Sequence, residues 1–529
     1  MTRKRVVIVG GGFGGIYAAR FLEKLLQPGD ADICLVNREN YFVFQPLLPE
    51  VLSGSIGLLD TVSPIRRLCP RARLFMREVE SIDLARRVVV LAPSLRPRAM
   101  ELPYDFLVVA AGSATNFSGM PGMAEHAMPF RTLGDALRLR NRVLEALEEA
   151  ANETDPDFRR RLLSFVVAGG GFSGVEVMAE LNDFLARAAR HFGNIRRDEI
   201  RCVLVHSGEQ ILPEMSPPLA GYAQRLLLKR GVEFKLKSRV VSATADSAIL
   251  AGGEVIPTRT LVSTVPSGAV PVIQQLDCAK EKGRLITNAH LELQGHEGVV
   301  WALGDCATAG PPTAQHATRE AKVVAWNIRA AMRGGPKSVF AFPGLGKLGS
   351  LGHHSAVAEA FGMRFSGVLA WFLWRGVYLM KMPGLDRKFR VGLDWLTALL
   401  FPTDLVQLRI QPSDNITNEH FEAGETIFEQ GDVGDRLYVI RKGEVEILRD
   451  GARVALLGAG DYFGEMALLS SGPRNATVRT TQPADILTVN KGDVTKLLAG
   501  FPEFRSGLAD LAGRRAGAGD GHTAGHTPG

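Results

Sequence analysis

Two glycine-rich turns, each between a short apolar run and a helical pattern, constrain the fold of this chain most. The first turn lies in VVIVGGGFGG and has the spacing GxGxxG at Gly10, Gly12 and Gly15. The second lies in FVVAGGGFSGVE and repeats the spacing at Gly169, Gly171 and Gly174. Such glycines permit a tight turn and let backbone N–H groups approach a pyrophosphate at a helix N-terminus. Two turns of this kind predict two dinucleotides and electron transfer between them.

Length and charge restrict the class of protein further. A chain of 529 residues with 46% hydrophobic residues has material for several domains. The net charge of +6 is modest, and without a Lys/Arg block it predicts no nucleic-acid partner. The opening MTRKRVVIVGGG has too short an apolar run for a secretory signal, so we expect a cytoplasmic protein.

The cysteines are scattered and lack the spacing of a metal site or a redox pair. No CxxC or CxxxxC occurs among Cys34, Cys69, Cys202, Cys278 and Cys306. We therefore expect no metal site and no disulfide framework.

The order of strand-like and helix-like segments predicts an α/β protein with two doubly wound, Rossmann-like domains. One dinucleotide domain spans 1–115 and 285–335 and is interrupted by the second at 116–284. A helical region follows at 336–411, then a β-roll domain at 412–511 and a disordered tail at 512–529. In the second domain, a helix is predicted from the spacing of Leu133, Leu137, Leu144 and Leu147.

Two apolar segments in the helical region are candidates for a membrane surface. FSGVLAWFLWRGVYLMK (365–381) contains Arg375 in mid-run and is short for a spanning helix, and VGLDWLTALLF (391–401) is shorter still. We interpret both as amphipathic helices lying in a membrane interface. Helices buried in a core or in a dimer interface are the alternative.

The turns and several further motifs together resemble the type II NADH:quinone oxidoreductases, which are single-subunit NADH dehydrogenases that do not pump protons. The resemblance extends over residues 3–410 and is carried by GGGFGG (10–15), YFVFQPLLPEV (41–51), LVVAAGSATNF (107–117), GGGFSGVE (169–176), ILPEM (211–215), WALGDCA (301–307) and AQHATRE (314–320). It implies FAD in the first domain, NAD(P)H in the second, hydride transfer to the flavin, and a quinone reached at the cytoplasmic face of the cell membrane.

The resemblance also implies site residues. For FAD they are Gly10, Gly12, Phe13, Gly14, Gly15, Asn37, Arg38, Gln45, Pro46, Ala111, Gly112, Gly304 and Asp305. For NAD(P)H they are Gly169, Gly171, Phe172, Ser173, Gly174 and His206, and the candidate catalytic residues are Glu176, Gln315 and Arg319.

The absence of paired cysteines bears on the mechanism. Disulfide reductases of similar fold carry a redox cysteine pair where this chain has YFVFQPLLPEV. Without a dithiol relay, the flavin is expected to deliver electrons directly to the acceptor. Sulfide:quinone reductases are disfavoured for the same reason.

Several positions depart from the family pattern. In AQxAxQxG, Arg319 replaces the second Gln and Ala321 the Gly, which leaves the acceptor open. Asn37 replaces the acid that holds a ribose hydroxyl, and Glu39 is an alternative acceptor. His206 replaces a carboxylate at the second strand end, so both NADH and NADPH stay open. Glu176 matches a glutamate near the nicotinamide, with an ordinary helix N-terminal carboxylate as the alternative.

The C-terminal segment resembles cyclic nucleotide-binding domains. FGEMALLSSGPRNATVRT (463–480) is similar to their phosphate-binding cassette, and AGETIFEQGDVGDRLYVIRKGEVEI (423–447) to their glycine-punctuated strands. The similarity implies that Glu465 holds a ribose hydroxyl and Arg474 the cyclic phosphate. The other cassette residues are Gly464, Met466, Ala467, Asn475 and Ala476. A domain that keeps the fold without a ligand is the alternative.

The sequence thus predicts a peripheral membrane flavoprotein that oxidises NAD(P)H, reduces a quinone and senses cAMP or cGMP. A homodimer is a further expectation. Regulation is expected to pass through the connection at 391–415. Two alternatives remain: a signalling flavoprotein with incidental turnover, and a soluble reductase of a protein electron carrier.

Overall fold

The structure is a computed structural model that describes residues 3–94, 98–265, 267–401, 404–408, 416–434, 436–466, 472–492 and 494. The chain forms two compact units. The first contains residues 1–89 and 102–409, and the second contains residues 90–101 and 410–529. The proposed tail at 512–529 lies outside the described residues, as do Ala467 and residues 402, 403 and 409–415 of the expected regulatory connection.

The secondary structure is as follows. The N-terminal elements are β1 (Lys4–Val9), α1 (Phe13–Leu25), β2 (Ala31–Asn37), β3 (Tyr41–Val43), α2 (Leu48–Leu52), β4 (Val62–Pro64), α3 (Ile65–Leu68), β5 (Arg73–Met76), β6 (Val79–Asp83), β7 (Val88–Leu91), β8 (Met100–Pro103), β9 (Phe106–Val109) and β10 (Ala114–Thr115). The elements that follow are α4 (Met123–His126), β11 (Ala127–Pro129), α5 (Leu133–Asn152), α6 (Pro156–Leu162), β12 (Ser164–Ala168), α7 (Phe172–Ala188), β13 (Arg201–Val205), α8 (Pro217–Lys229), β14 (Val232–Lys235), β15 (Val240–Thr244), β16 (Ser247–Leu250), β17 (Val255–Pro257), β18 (Thr260–Ser263), β19 (Ser267–Gly268), α9 (Pro271–Gln275), β20 (Lys280–Glu281), β21 (Arg284–Leu285), β22 (Val300–Ala302) and α10 (Ala314–Arg333). The C-terminal elements are β23 (Gly346–Ser350), β24 (Ala356–Ala360), β25 (Met363–Ser366), α11 (Gly367–Lys381), α12 (Leu385–Leu400), β26 (Ile416–Phe421), β27 (Thr426–Phe428), β28 (Arg436–Arg449), β29 (Ala452–Gly458), β30 (Tyr462–Phe463) and β31 (Thr477–Asn490). Short 3-10 turns cover Gln45–Leu47, Ala189–His191, Arg197–Glu199 and Gly304–Cys306.

A five-stranded parallel sheet of order β22-β9-β1-β2-β5 forms the first dinucleotide domain. Its central strand β1 is an uninterrupted apolar run from Val6 to Val9 that is buried on both faces, as parallel strands covered by helices are. Helices α1 and α10 share one hydrophobic core with this sheet. The carboxyl ends of β1, β2, β9 and β22 therefore open on one edge, where ligands of such folds bind.

A second parallel sheet of order β11-β18-β12-β13-β14 carries the second glycine turn. Helix α5 packs in the core of this part of the chain, and its predicted apolar residues Leu133, Leu137, Leu144 and Leu147 are all buried. The helix begins at a capping box in which Thr132 and Asp135 satisfy each other's backbone N–H groups. The α/β prediction is confirmed by both sheets.

The region at 336–411 is not purely helical, so the sequence-based prediction is incomplete there. A three-stranded antiparallel sheet of β23, β24 and β25 precedes the two helices. The hairpin between β24 and β25 turns on Phe361 and Gly362, which have φ of 54° and 75°. Two positive φ values are typical of a tight hairpin turn. Because phenylalanine is an unusual first residue for such a turn, the sequence pattern did not predict it.

The second unit contains an antiparallel sheet in which β31 pairs with β26, β27 and β28, and β28 also pairs with β29 and β30. Its core includes Phe428, Tyr438, Phe463 and Ile486. The prediction of short strands between glycines is wrong at Gly443, because β28 continues through it. Gly443 adopts φ of 94° beside Ala484, so the strand bends there without ending.

Candidate functional site

The first glycine turn joins β1 to α1 in the form expected of a pyrophosphate cradle. Gly10 has φ of 105°, and a Cβ there would clash with the carbonyl of Ala110. A Cβ on Gly15 would clash with the Gly10 carbonyl, whereas Gly12, the residue that caps α1, faces open space. Glycine is therefore required at both ends of the turn, and the space above its centre fits a bound pyrophosphate.

Asn37 at the end of β2 closes this turn. Its Oδ1 accepts the Gly11 N–H at 2.8 Å, and its Nδ2 donates to the carbonyl of Glu39 at 2.8 Å. The amide thus positions the backbone on which a dinucleotide would lie. The side chain of Arg38 is exposed to solvent, and its Nη1 lies 3.6 Å from Glu78 Oε1.

A polar cluster assembles at the ends of β9 and β22. Ser113 Oγ donates to Asp305 Oδ2 at 3.0 Å, and Arg131 Nη2 donates to Ser113 Oγ at 2.5 Å. The neighbouring Gly304 N–H donates to the buried Glu320 Oε2 at 2.7 Å. Sequence reasoning singled out Gly304 and Asp305 but missed Ser113, Arg131 and Glu320. Of these three, Glu320 could have been identified, because it is the acidic residue at the end of the motif AQHATRE.

Aromatic packing brings the segment at Gln45 and Pro46 to the same edge. The Phe13 ring lies 5.0 Å from Phe42 and 5.7 Å from Phe44, measured between centroids. Gln45 Nε2 donates to the carbonyl of Arg131 at 3.3 Å, which connects it to the cluster at Asp305. Gly112 follows β9 with φ of 69° and faces open space, and Ala111 precedes it. Thus the predicted FAD residues from five separate segments share one edge, with Gly14 packed against Leu303.

The second glycine turn repeats this construction between β12 and α7. Gly169 has φ of 119°, and a Cβ on Gly174 would clash with its carbonyl. Gly171 caps α7, which begins with Phe172 and the exposed Ser173. A Cβ on Gly171 would lie 3.1 Å from Glu214 Oε1, so Glu214 is a further residue at the turn that sequence reasoning did not assign a role.

His206 occupies the strand end that follows β13. The backbone N–H of Gly170 donates to its Nδ1 at 3.2 Å, so the proton of the neutral ring is on Nε2. Burial lowers the pKa of His206, which keeps the ring uncharged at neutral pH. The ring therefore plays the same turn-closing part as Asn37 in the first domain.

Glu176 on α7 is half-buried. Its Oε1 accepts the backbone N–H of Ser350 in β23 at 3.0 Å. Burial raises the pKa of Glu176 to about 8, and of Glu180, one turn later, also to about 8. Both are therefore mostly protonated at neutral pH, and a protonated carboxyl can donate a hydrogen bond or a proton.

Gln315 and Arg319 lie on the first turns of α10. The Gln315 amide accepts the Leu345 N–H at 3.2 Å and donates to the Gly346 carbonyl at 3.2 Å. Arg319 donates to the Gln315 carbonyl at 3.0 Å, and its guanidinium stacks 4.0 Å above the Phe342 ring. The segment before β23 therefore holds both side chains, and Phe342 is a neighbour that the motif did not reveal.

The five cysteines are free thiols, four of them buried. Cys306 lies next to Asp305, but burial raises its pKa to about 11. A thiol with such a pKa is a poor nucleophile. Among the described residues the first sheet therefore offers no dithiol relay.

The cassette of the second unit has its two predicted ligand residues buried. Glu465 and Arg474 are each 3% exposed. Arg474 donates at 2.8 Å to the carbonyls of Gly464 and Arg436, and its guanidinium lies 4.2 Å from the Phe428 ring centroid. Asn475 Nδ2 lies 3.1 Å from Met466 Sδ, and Ala476 is buried beside them.

Comparisons with known proteins agree with this geometry. The family model for pyridine nucleotide-disulphide oxidoreductases matches residues 4–321. The type II NADH:quinone oxidoreductase Ndh of Mycobacterium tuberculosis is 32% identical over 418 residues, which cover 75% of this chain and 88% of the relative. The chain belongs to the type II NADH:quinone oxidoreductases. Membership confirms the resemblance carried by the motifs, and with it the expectation of FAD and NADH.

Two further similarities agree with this result, one in sequence and one in fold. The demethylphylloquinone reductase NdbB of Synechocystis is 33% identical, with 75% of this chain and 97% of the relative covered. The structure of NDH2 from Plasmodium falciparum in complex with NADH has a TM-score of 0.70 at 18% identity, with 76% of this chain and all of that chain covered. The latter confirms the fold.

Two other family models match C-terminal parts of this type II oxidoreductase. The NDH2 C-terminal domain matches residues 345–404, which contain β23 to α12. The cyclic nucleotide-binding domain matches residues 418–500 and confirms the second resemblance. The predicted domain boundaries and the ligand contacts of individual residues stay predictions.

Proposed function

We propose that this type II oxidoreductase takes electrons from NADH and passes them through its flavin to a quinone at a membrane surface. One observation carries the proposal: the two glycine turns each follow a strand of a parallel sheet, four of the five thiols are buried, and the described residues contain no dithiol relay. Electrons that enter from the nicotinamide must then leave the flavin directly.

The first edge fits FAD. The open space at Gly12 and Gly112 leaves room for a pyrophosphate and a ring system, while Asp305, held by Ser113, supplies an acceptor oxygen. When bound, FAD accepts a hydride and releases its electrons to a second substrate, which is the chemistry that joins NADH to quinone. The chain's own part is to fix this edge: Asn37, Glu320 and Arg131 hold the strand ends rigid.

On the nicotinamide side we assign Glu176 and Phe172. Both lie at the start of α7, and Phe172 packs against Gly349, where a Cβ would lie 2.9 Å from its ring. A carboxyl with a pKa of about 8 is uncharged beside a nicotinamide, so it avoids repelling the phosphates of NADH and can donate a hydrogen bond. Because His206 is neutral and no carboxylate occupies its position, we assign NADPH as a second substrate.

On the quinone side we assign Gln315 and Arg319. Arg319 is one turn beyond Gln315 and carries a positive charge near the Gln315 backbone. A guanidinium stabilises the negative charge that develops on a quinone oxygen during reduction. Arg319 thereby replaces the hydrogen-bonding role of the family's second glutamine.

We assign the membrane-facing surface to α11 and α12. Large apolar side chains that are exposed on these helices include Leu369, Phe372, Met380, Phe389 and Leu400. None of the helices in the described ranges has the length and apolar character needed to cross a bilayer. We propose peripheral binding at the cytoplasmic face, with a homodimer through the same side chains as the competing arrangement.

The second unit is proposed to bind cAMP or cGMP at Glu465 and Arg474 and to regulate turnover. Both residue types required for ribose and phosphate are present and buried in the cassette. Titration of the full chain with each nucleotide, followed by fluorescence or calorimetry, tests the binding.

Steady-state turnover of the FAD-loaded chain tests the enzyme proposal and separates it from its rivals. NADH oxidation with a short-chain quinone should exceed the rate with oxygen alone by at least about tenfold, a difference of about 1.4 kcal/mol in barrier. Equal rates would favour a signalling flavoprotein. Fast reduction of a protein electron carrier, with none of a quinone, would favour the soluble reductase.

A further inference from the structure

The segment Val90–Glu101 connects the flavoprotein part of the chain with the cyclic nucleotide domain. The chain leaves the first unit along β7, contributes this segment to the second unit, and returns to the first unit along β8. The strands β6, β7 and β8 form one three-stranded sheet, and within the segment the structure describes residues 90–94 and 98–101.

Arg98 holds this segment in the second unit. Its Nε donates to Asp432 Oδ1 at 2.8 Å, and its Nη2 donates to Glu429 Oε2 at 2.6 Å. The Asp432 side chain is only 5% exposed. A carboxylate this deeply buried needs a partner of opposite charge. The ion pair of Arg98 with Asp432 therefore contributes more to stability than a pair of two exposed side chains would.

The loop that receives Arg98 is paired by its backbone to the cassette arginine. The Gly431 N–H donates to the Arg474 carbonyl at 2.8 Å, and the Arg474 N–H donates to the Asp432 carbonyl at 2.6 Å. Val433 and Pro473 form a β-bridge next to them. Asp432 therefore contacts Arg98 with its side chain and Arg474 with its backbone.

Arg474 is also the residue whose environment a cyclic phosphate would change. In the structure its guanidinium donates to the carbonyls of Gly464 and Arg436. A bound phosphate competes for these N–H groups, because charge-assisted hydrogen bonds are stronger than those to neutral carbonyls. The backbone hydrogen bonds of Arg474 with Gly431 and Asp432 would carry such a change to that loop.

We propose that Arg98 is the coupling residue through which cyclic nucleotide occupancy at Arg474 controls the segment Val90–Glu101 and, through β7 and β8, electron transfer. The path runs from Arg474 to Asp432, from Asp432 to Arg98, and from Arg98 into the two strands. It differs from the connection at 391–415 that adjacency in sequence favours. This inference rests on the proposed regulation by cyclic nucleotide.

The test uses the full, FAD-loaded chain with cAMP and cGMP in separate arms. Three quantities are measured: nucleotide binding, hydrogen exchange of peptides from residues 90–101, and NADH:quinone turnover. Arg98→Gln removes the ion pairs, and Arg98→Lys keeps the charge but not the two-pronged contact. Arg453→Gln, an exposed arginine of the same domain, is the matched control.

In the unaltered chain and in Arg453→Gln, nucleotide binding should change both exchange at 90–101 and turnover, with about fivefold as the typical size of such coupling. Arg98→Gln should still bind nucleotide and have the same turnover without nucleotide, but lose both responses. Arg98→Lys should respond partially.

If nucleotide binds while exchange at 90–101 stays constant, or if Arg98→Gln responds fully, the coupling proposal is wrong. If neither nucleotide binds to the unaltered chain, the proposed binding of cAMP or cGMP is wrong, and the coupling proposal that rests on it is wrong as well.

Discussion

The guanidinium of Arg375 in α11 lies 3.6 Å from the carboxylate of Glu50 in α2, and the two side chains are 14% and 4% exposed. The indole N–H of Trp395 in α12 donates to the other Glu50 oxygen at 2.8 Å. The same guanidinium stacks on Trp371 and Trp395, at 3.8 and 4.6 Å from their ring centroids. One buried carboxylate thus attaches both C-terminal helices to the segment that follows Gln45 and Pro46.

Arg375→Met should destabilise the protein, because it leaves the Glu50 carboxyl buried without its cation, a change that typically costs about 3–5 kcal/mol. Glu50→Gln combined with Arg375→Met should lose less, since no charge is then stranded. Urea unfolding followed by tryptophan fluorescence measures both, with the exposed Arg364→Met as control. A double variant as unstable as the sum of the two single variants would contradict this account.

Glu176 should make stability depend on pH. Its pKa of about 8 lies above that of an unfolded glutamate, so the folded state binds the extra proton between about pH 5 and 8. Stability therefore falls as pH rises through this window, by up to about 1.4 kcal/mol per pH unit for one proton. Glu176→Gln should remove the contribution of this proton to the dependence of the free energy of unfolding on pH. Urea unfolding midpoints at roughly pH 5, 7 and 9 measure that dependence.

The same variant tests the assignment beside the nicotinamide. The rate of flavin reduction by NADH should change near pH 8 in the unaltered chain and be flat there in Glu176→Gln. Glu180→Gln, one helical turn away, should change stability in the same direction but keep the pH profile of the rate. Identical rate profiles for all three proteins would remove Glu176 from the nicotinamide site.

His206→Glu should shift the choice of nicotinamide towards NADH. A carboxylate at this strand end accepts a ribose hydroxyl but repels a 2′-phosphate. We expect kcat/KM for NADPH to fall by at least about tenfold, a cost of about 1.4 kcal/mol, with a smaller change for NADH. His206→Gln serves as the uncharged control, and an equal loss for both dinucleotides would speak against a role in selectivity.

Phe372→Ser with Phe389→Ser should weaken binding to lipid. These side chains are 63% and 73% exposed, and transfer of two phenylalanines to a membrane interface accounts for at least about tenfold in partitioning. Sedimentation with phosphatidylglycerol vesicles measures the bound fraction. Leu228→Ser with Val255→Ser removes two exposed apolar residues outside α11 and α12 and should leave binding unchanged. Loss of a dimer at constant lipid binding would instead assign this surface to a homodimer.

The sequence predicted the parts of the site that local geometry determines. At Gly10 and Gly169, the positive φ and the close approach of backbone atoms admit only glycine, so the motif and the structure carry the same information. The buried apolar strands that precede them are equally local. These local features are sufficient to predict the two sheets and both turns.

The contacts that hold the site together could not be predicted in this way. Glu320 reaches Gly304 from the next helix, and Arg131, which follows β11, reaches back to Ser113 and across to Asp305. Arg375 illustrates the same limit, because an arginine in an apolar helix is compatible with a lipid headgroup or with a buried acid. The contacts of α2 with α11 and α12 show that the partner of this arginine is the buried acid Glu50.

The most direct test of direct electron delivery is an anaerobic stopped-flow experiment on the FAD-loaded chain. The flavin is first reduced with one equivalent of NADH and then mixed with a short-chain quinone. We predict full bleaching by NADH, complete reoxidation by quinone within one turnover, and no change when every accessible thiol has been alkylated. Reoxidation by quinone no faster than by oxygen, or its loss after alkylation, would contradict the account.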